Sequence, residues 1–335
     1  PGPGPLEAEA AGLQRDLVDA FDPVRAGVGR GDQGRQGPED GQERAHRLHR
    51  SPSPSGSSGV AGSRGASGGS AGNFGFNGVV MVSAVTNTTI AQVSDGANVI
   101  IGNNPIGLSG SSVVIQAHDN TVLVTIGGAL TTSERGGVGG SVSYNNVTRT
   151  TEALIGHLED TVDSTSVMGS FAADGDISIS ADNSGFVGSF GVAGAKSANK
   201  PPPKSKRKAH KAHKNINTAI GVSVGVGFNE INDTTRSYIL RQSIDAGGNI
   251  QLTATNNTTL EAFSIGGTYS KGKNNSIALA GAGAGNKANS IVESFISNSN
   301  INTNSGTVSL AAYDNSGIYA QSGSFSVAKN SSEPG

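Results

Sequence analysis

The chain has 335 residues, a net charge of −2 and no Cys. These values exclude a disulfide frame, a thiolate nucleophile, a Cys-based zinc site and any global pull towards nucleic acid. Fifty glycines, aromatics at 4% and no Trp exclude a thick ring-filled core, so Val, Ile, Leu and Ala must fill a thin one between tight turns and short strands.

Residues 1–60 differ from the rest. They carry seven Arg and nine Asp/Glu with several Pro-Gly and Ser-Pro pairs. Leu6, Leu13, Leu17 and Phe21 fall roughly on one side of a weak amphipathic helix, and Gly27 to Ser58 reads as disordered. One account of the abrupt switch near Ala61 is that the segment is a mis-framed reading of repeat-encoding DNA, or follows a wrong start. Translating the other two frames tests that account. The chain starts at Pro1 without a signal peptide and reads as a piece of a larger parent chain. No run of 18 apolar residues occurs, so no transmembrane helix is expected.

From residue 61 to 335 the chain repeats itself, and the repeat decides the fold. One unit recurs four times: Val113-Val-Ile115-Gln-Ala117-His-Asp-Asn120, Ile177-Ser-Ile179-Ser-Ala181-Asp-Asn183, Ile250-Gln-Leu252-Thr-Ala254-Thr-Asn-Asn257 and Val308-Ser-Leu310-Ala-Ala312-Tyr-Asp-Asn315. Period-2 alternation of aliphatic residues marks a strand with one buried face. The following Asp/Asn pair is expected to turn the chain, because these side chains bond to nearby backbone.

A second unit alternates with the first. It runs over Gly78–Val93, Gly140–Ile155 and Val222–Ile239, with a degenerate copy ending in Glu293-Ser-Phe-Ile296. Its second Thr falls at Thr89, Thr151 and Thr235, with Val292 in the last place. The step from Thr151 to Thr235 contains Lys196–Lys214, which reads as a basic loop insertion; without it the superrepeat is near 60 residues. Such a repeat predicts about three rungs of roughly 20 residues each, hence on the order of 13 rungs in a rod some 60 Å long. Asn at equivalent corners is expected to form hydrogen-bonded ladders. The fold class is all-β, a parallel β-helix (β-solenoid) with a disordered or weakly helical N-terminal segment.

The runs Gly68–Gly78, Asn87–Val93 and Gly-Val-Gly-Gly-Ser-Val with Thr-Thr-Glu-Ala-Leu-Ile resemble the repeats of leukotoxin-type filamentous adhesins and other giant hemagglutinin-like surface proteins. The resemblance covers residues 61–330. It implies a right-handed β-helical stalk, export to the bacterial surface and a role in attachment. The family's secretion modules and carbohydrate-dependent attachment modules have no counterpart here.

Candidate chemistry is sparse. Lys196, Lys200, Lys204, Lys206, Arg207, Lys208, Lys211 and Lys214 crowd into 19 residues beside Pro201–Pro203. Eight like charges repel, so the segment reads as a protruding loop. It is either a solvated linker or a patch for polyanions: sulfated glycans, lipopolysaccharide, nucleic acid without sequence preference, or acidic membranes. The residues carrying that function would be Lys200, Lys204, Lys206, Arg207, Lys208, Lys211 and Lys214. His210 and His213 sit in this cationic run, which repels metal. Arg30-Gly31-Asp32 matches an attachment tripeptide in a segment where chance generates it. Asp174-Gly175-Asp176 reads as turn chemistry, and Glu159, Asp160 and Asp163 as a solvated turn. Matches to the Asn-x-Thr acceptor pattern, among them Asn87, Asn146, Asn232 and Asn257, are expected by coincidence in so Asn/Thr-rich a chain. A glycan-active β-helix enzyme would need convergent acids on one face, and the acids here are scattered. The expectation is therefore attachment without catalysis, metal or cofactor, with host or neighbouring-cell surface glycans or other polyanions as partners.

Overall fold

The computed structural model describes residues 55–94, 96–102, 111–158, 168–199 and 218–330. The helix expected near Leu6–Phe21, the Arg30-Gly31-Asp32 tripeptide, the Glu159/Asp160/Asp163 cluster and residues 200–217 all lie outside the described residues. The chain divides into residues 1–49 and 50–335; everything below concerns the second unit.

That unit is all-β, with no helix among the described residues. Three parallel sheets share the strands. The first sheet holds β1 (Ser55–Ala71), β4 (Val113–Ser133), β7 (Ile177–Ala198), β10 (Ile250–Gly272), β13 (Val308–Asp314) and β14 (Gly317–Asn330). The second holds β2 (Phe74–Ser94), β5 (Gly136–Gly156), β8 (Thr218–Leu240) and β11 (Asn275–Ser297). The third holds the short β3 (Asn98–Ile101), β6 (Gly169–Ala173), β9 (Gln242–Ala246) and β12 (Asn300–Thr303). The chain visits the three sheets in the same order four times and begins a fifth pass, so each repeat is one layer.

The register follows the two sequence units. Val113, Ile177, Ile250 and Val308 are lateral neighbours. Thr89, Thr151, Thr235 and Val292 are likewise paired in series. A one-residue slip would turn every buried side chain outward, which is why alternation this regular pins the register.

Two expectations are corrected. A repeat of about 60 residues makes one layer, not three rungs, and the first sheet is only five strands deep, about 20 Å at 4.8 Å per strand. The strands are instead long: β8, β10 and β11 each run 23 residues, about 75 Å. The physical reason lies at the Asp/Asn pairs. Alternation continues straight through them, so Asp119, Asn183 and Asn256 point inward and are buried instead of turning the chain. Only in the last pass does a break separate β13 from β14 there.

Within a layer the first-sheet strand runs out, reverses at Glu134-Arg135 or its equivalent, and returns as the second-sheet strand facing it. The short third-sheet strand closes the opposite, wide end. There the three sheets bury one aliphatic cluster that includes Ile115, Ile155, Phe171, Ile179, Ile244 and Leu252. A second cluster, Leu123, Val147, Val187, Ile231 and Leu260, lies further along the two facing sheets. Beyond it the interior of the second to fourth passes narrows to Gly, Ala, Ser and Thr, while the first pass turns Val79 and Met81 inward against Gly65. A Cβ on Gly225 would stand 2.7 Å from the Ile265 carbonyl oxygen, and one on Gly227 2.8 Å from that of Phe263, so the two backbones nearly touch. From the second pass on, the slim aliphatic column expected from the sequence thus occupies only the wide end and the middle.

Candidate functional site

Three arrangements of polar or exposed groups stand out. The first is buried between the two aliphatic clusters. Arg149 on β5 is fully buried, and its guanidinium clasps Asp233 of the next layer through Nε to Oδ1 at 2.9 Å and Nη2 to Oδ2 at 2.5 Å. Nη1 donates to the Ser184 carbonyl at 2.7 Å and stands 3.5 Å from Asp119. Nη2 also donates to Thr258 Oγ1 at 2.5 Å. Asp119 accepts further bonds from Asn87 at 3.2 Å and Thr121 at 2.7 Å. Beside this cluster, Thr151 donates to Asn183 at 2.5 Å, and Asn183 to Thr235 at 2.8 Å. An Asn ladder runs through Asn145, Asn229 and Asn286 at 2.8 Å per step. It lies inside the second sheet, not at the corners where ladders were expected. These groups pin layer to layer and have no opening to a ligand; nothing in the spacing of the sequence marked Arg149, because a single Arg among alternating Thr reads as solvent-facing.

The second arrangement lies on the outer face of the second sheet. Glu230 accepts from Lys287 Nζ at 2.7 Å and from the Tyr144 hydroxyl at 2.8 Å. The Lys287 bond, then the Tyr144 bond, holds the Glu230 carboxyl below its ordinary range. The Glu230 bond in turn raises Tyr144 and Lys287 above theirs. Tyr144 stacks on Phe228 with centroids 5.9 Å apart. Arg236 links Glu293 at 2.9 Å and Glu152 at 3.6 Å. Such ladders join like positions of successive layers.

The third arrangement is an inversion at the narrow end. There the interior of the second to fourth passes is small and hydroxyl-bearing while the outward positions are apolar. The second sheet shows Phe76, Val80, Val82, Val224 and Leu279 to solvent, and the first shows Leu130, Val192, Phe325 and Val327. Outer positions nearer the wide end carry His118, which bonds Asp182 at 2.8 Å, with Asn257 and Glu261 beyond. Lys196, expected in the basic loop, lies on β7 and is exposed. Lys200, Lys204, Lys206, Arg207, Lys208, Lys211 and Lys214, with His210 and His213, lie outside the described residues.

Asp174-Gly175-Asp176 forms a bend between β6 and β7, and Asp176 Oδ1 accepts from the Asn249 amide at 2.6 Å. Of these acceptor-pattern asparagines, Asn87 is turned inward onto Asp119, and Asn146, Asn232 and Asn257 take outward strand positions. Among the described residues no three His, Asp or Glu side chains gather as a metal site. No helix among them is long and apolar enough to cross a membrane. A groove of about 530 Å³ is lined by Val292, Glu293, Phe295 and Ala312, between β11 and β13.

Comparison with protein-family models, with curated proteins and with solved structures finds no match to this chain.

Proposed function

We propose that the chain is a structural and adhesive stalk segment of a large secreted bacterial surface protein, built as a right-handed parallel β-helix and acting in attachment rather than catalysis. One observation carries the reading: equivalent positions stack in register from pass to pass, and the inward residues of the inner passes are buried between their neighbours. Ile177, Ile179, Ile250 and Leu252, in register on neighbouring strands, are 0% exposed. Each layer gains its burial from its neighbours, which is the economy of an extendable rod. The likeness of residues 61–330 to filamentous-adhesin repeats supplies the surface location, the handedness and the role. Antiserum against residues 55–330 tests the location: it should label intact bacteria carrying the parent gene, and labelling only after lysis would overturn it. Beads coated with the chain should adhere to cell monolayers above albumin-coated beads; equal adhesion would remove the adhesive half of the reading.

The density of cations at Lys196–Lys214 favours a second reading, a polyanion-binding module acting through Lys200, Lys204, Lys206, Arg207, Lys208, Lys211 and Lys214. Heparin retention that falls with salt and with Lys→Gln substitution throughout the segment supports it; retention unchanged by that substitution discards it.

A further inference from the structure

The outer face of the first sheet carries two features that the stalk reading leaves unused. Ile126, Leu130, Phe190, Val192, Phe325 and Val327 form an apolar area over its narrow-end half. Leu130, Val192 and Phe325 are 57%, 43% and 60% exposed. Apolar areas of this kind mark an interaction surface on a soluble chain. The area is also smooth. A Cβ on Gly194 would stand 2.8 Å from the Leu130 side chain, and one on Gly267 would meet the Phe325 ring. The large side chains therefore lie across glycines of neighbouring strands and leave neither knob nor socket.

The second feature is the border. Lys196, Lys271 and Lys329 occupy outward positions at the narrow ends of three successive strands, and Lys271 and Lys329 are direct lateral partners. All three are exposed. Arg64 adds a cation on β1 beside Ile126. The carboxylates of this face, Glu261 and Asp182, lie towards the wide end. A flat apolar field edged by ammonium groups fits a surface that is itself apolar below and anionic above.

We propose that this face docks flat on a bilayer that displays anionic lipid headgroups. The apolar field meets the acyl boundary, and the Lys row meets the phosphates around it. That order of depth matches a chain lying in the interface plane. Entry by the narrow edge would drive the same lysines deepest, which the charge pattern forbids. The proposal stands on Lys196, Lys271, Lys329 and the apolar field alone and does not depend on the stalk reading.

The chain has no Trp, so a single introduced Trp reports its own surroundings. Val192→Trp in the full chain is mixed with vesicles of phosphatidylcholine and phosphatidylglycerol at about 7:3, and with phosphatidylcholine alone. The expected result is a blue shift and quenching by brominated lipid on the anionic vesicles. Val82→Trp, on the opposite sheet, should show neither. Flotation measures the partition directly: Leu130→Ser/Val192→Ser/Phe325→Ser should lower it at least tenfold, and Lys196→Ser/Lys271→Ser/Lys329→Ser should make the residual binding insensitive to lipid charge. A circular dichroism spectrum unlike the parent's would disqualify the flotation variants, and the Trp shift then decides alone. Binding unaffected by the triple Ser substitution and abolished by salt would assign attachment to the Lys-rich segment and overturn the proposal. Absence of binding, or self-association that buries the Val192→Trp reporter without lipid, would overturn it too.

Discussion

Arg149→Met is the most informative single substitution. Among the described residues Arg149 is the largest fully buried side chain, and it joins three layers: Asp119 and the β5 backbone in one, Asp233 and Ser184 in the next, Thr258 in the one after. Met keeps the unbranched apolar stem and removes the charge. Asp233 then loses both guanidinium bonds, and its remaining side-chain partner is Thr258 at 3.4 Å. Asp119 keeps Asn87 and Thr121. Removing one partner of a buried pair costs about 3–5 kcal/mol, because the other charge stays desolvated. With a urea slope near 3 kcal/mol/M for a unit of this size, the midpoint should fall by about 1 to 2 M. Urea titration followed by far-ultraviolet circular dichroism measures it. The second arm is Arg149→Met/Asp233→Leu, which removes the Arg149–Asp233 pair and leaves Asp119 to Asn87 and Thr121. An apolar replacement of a buried ion pair is often neutral or stabilising, so the double variant should recover the part of the loss that comes from Asp233, with Asp119 still lacking its cation, and the two changes should be non-additive by at least about 2 kcal/mol. A midpoint for Arg149→Met within experimental error of the parent, or a double variant as unstable as the sum of the singles, would refute the idea that this cluster is dry and that its charges hold the layers in register.

Further outcomes follow from the same geometry. Leu252→Ala, in the wide-end cluster, should cost about 2–5 kcal/mol, whereas Gln251→Ala, at the neighbouring exposed outward position, should cost under about 0.5 kcal/mol; equal losses by urea titration would refute the assignment of inward and outward faces. Gly225→Val should prevent the two facing sheets from closing and leave the chain insoluble or partly unfolded, while Gly323→Val, whose Cβ meets nothing within 4 Å, should leave the melting temperature unchanged. The hydroxyls of Ser189 and Ser264 are buried without a hydrogen-bond partner, so Ser189→Ala and Ser264→Ala should each stabilise by about 1 kcal/mol, and a loss of stability would show that these hydroxyls are bonded in solution. Glu230→Gln should return the Tyr144 titration towards the ordinary phenol value, as read by absorbance at alkaline pH against the parent. The signs of the parent's pH dependence are set: the depressed Glu230 carboxyl supports the fold above its unfolded pKa and loses that support as pH falls through its folded value, while raised Lys287 supports it up to its unfolded pKa and loses that support as pH rises through its folded value.

The lateral register was legible in the sequence because two independent marks agree on it. The aliphatic-x-aliphatic-x-Ala units fall on one another in the first sheet, and the Thr-Thr units fall on one another in the second. What the alternation could not give was the size of a layer. Period 2 fixes which face a residue takes but not how far a strand runs, and the Asp/Asn pair that ends a strand in most sequences is here a pair of inward and outward strand positions. The third sheet was missed for a related reason. Its strands are four or five residues long, as in Asn98–Ile101 and Gln242–Ala246, too short for alternation to stand above chance. Arg149 was illegible because its burial depends on Asp233, 84 residues away, and on Thr258, 109 residues away.

The glycine content takes its meaning from the narrowing interior. Face-to-face sheets with ordinary side chains pack about 10 Å apart, and the space must be filled. Here a Cβ at Gly225 or Gly227 would run into the opposite backbone, so the facing sheets lie closer than any ordinary side chain permits. The second aliphatic cluster, with Leu123 facing Val147, shows the spacing still wide enough for branched residues partway along. From the second pass on, the narrow end closes to near backbone contact and leaves no room inside for large apolar residues, whereas in the first pass Val79 and Met81 lie inward against Gly65. Leu130 and Phe325 consequently stand outside, as Phe76 and Val80 do in the first pass, and they are retained there in a composition otherwise poor in apolar residues. Residues that contribute nothing to the core and could be Ser or Thr at no cost to the strands point to a surface that is used. Among the described residues the row of Lys196, Lys271 and Lys329 borders the apolar face of the first sheet, and that is the face the bilayer proposal selects.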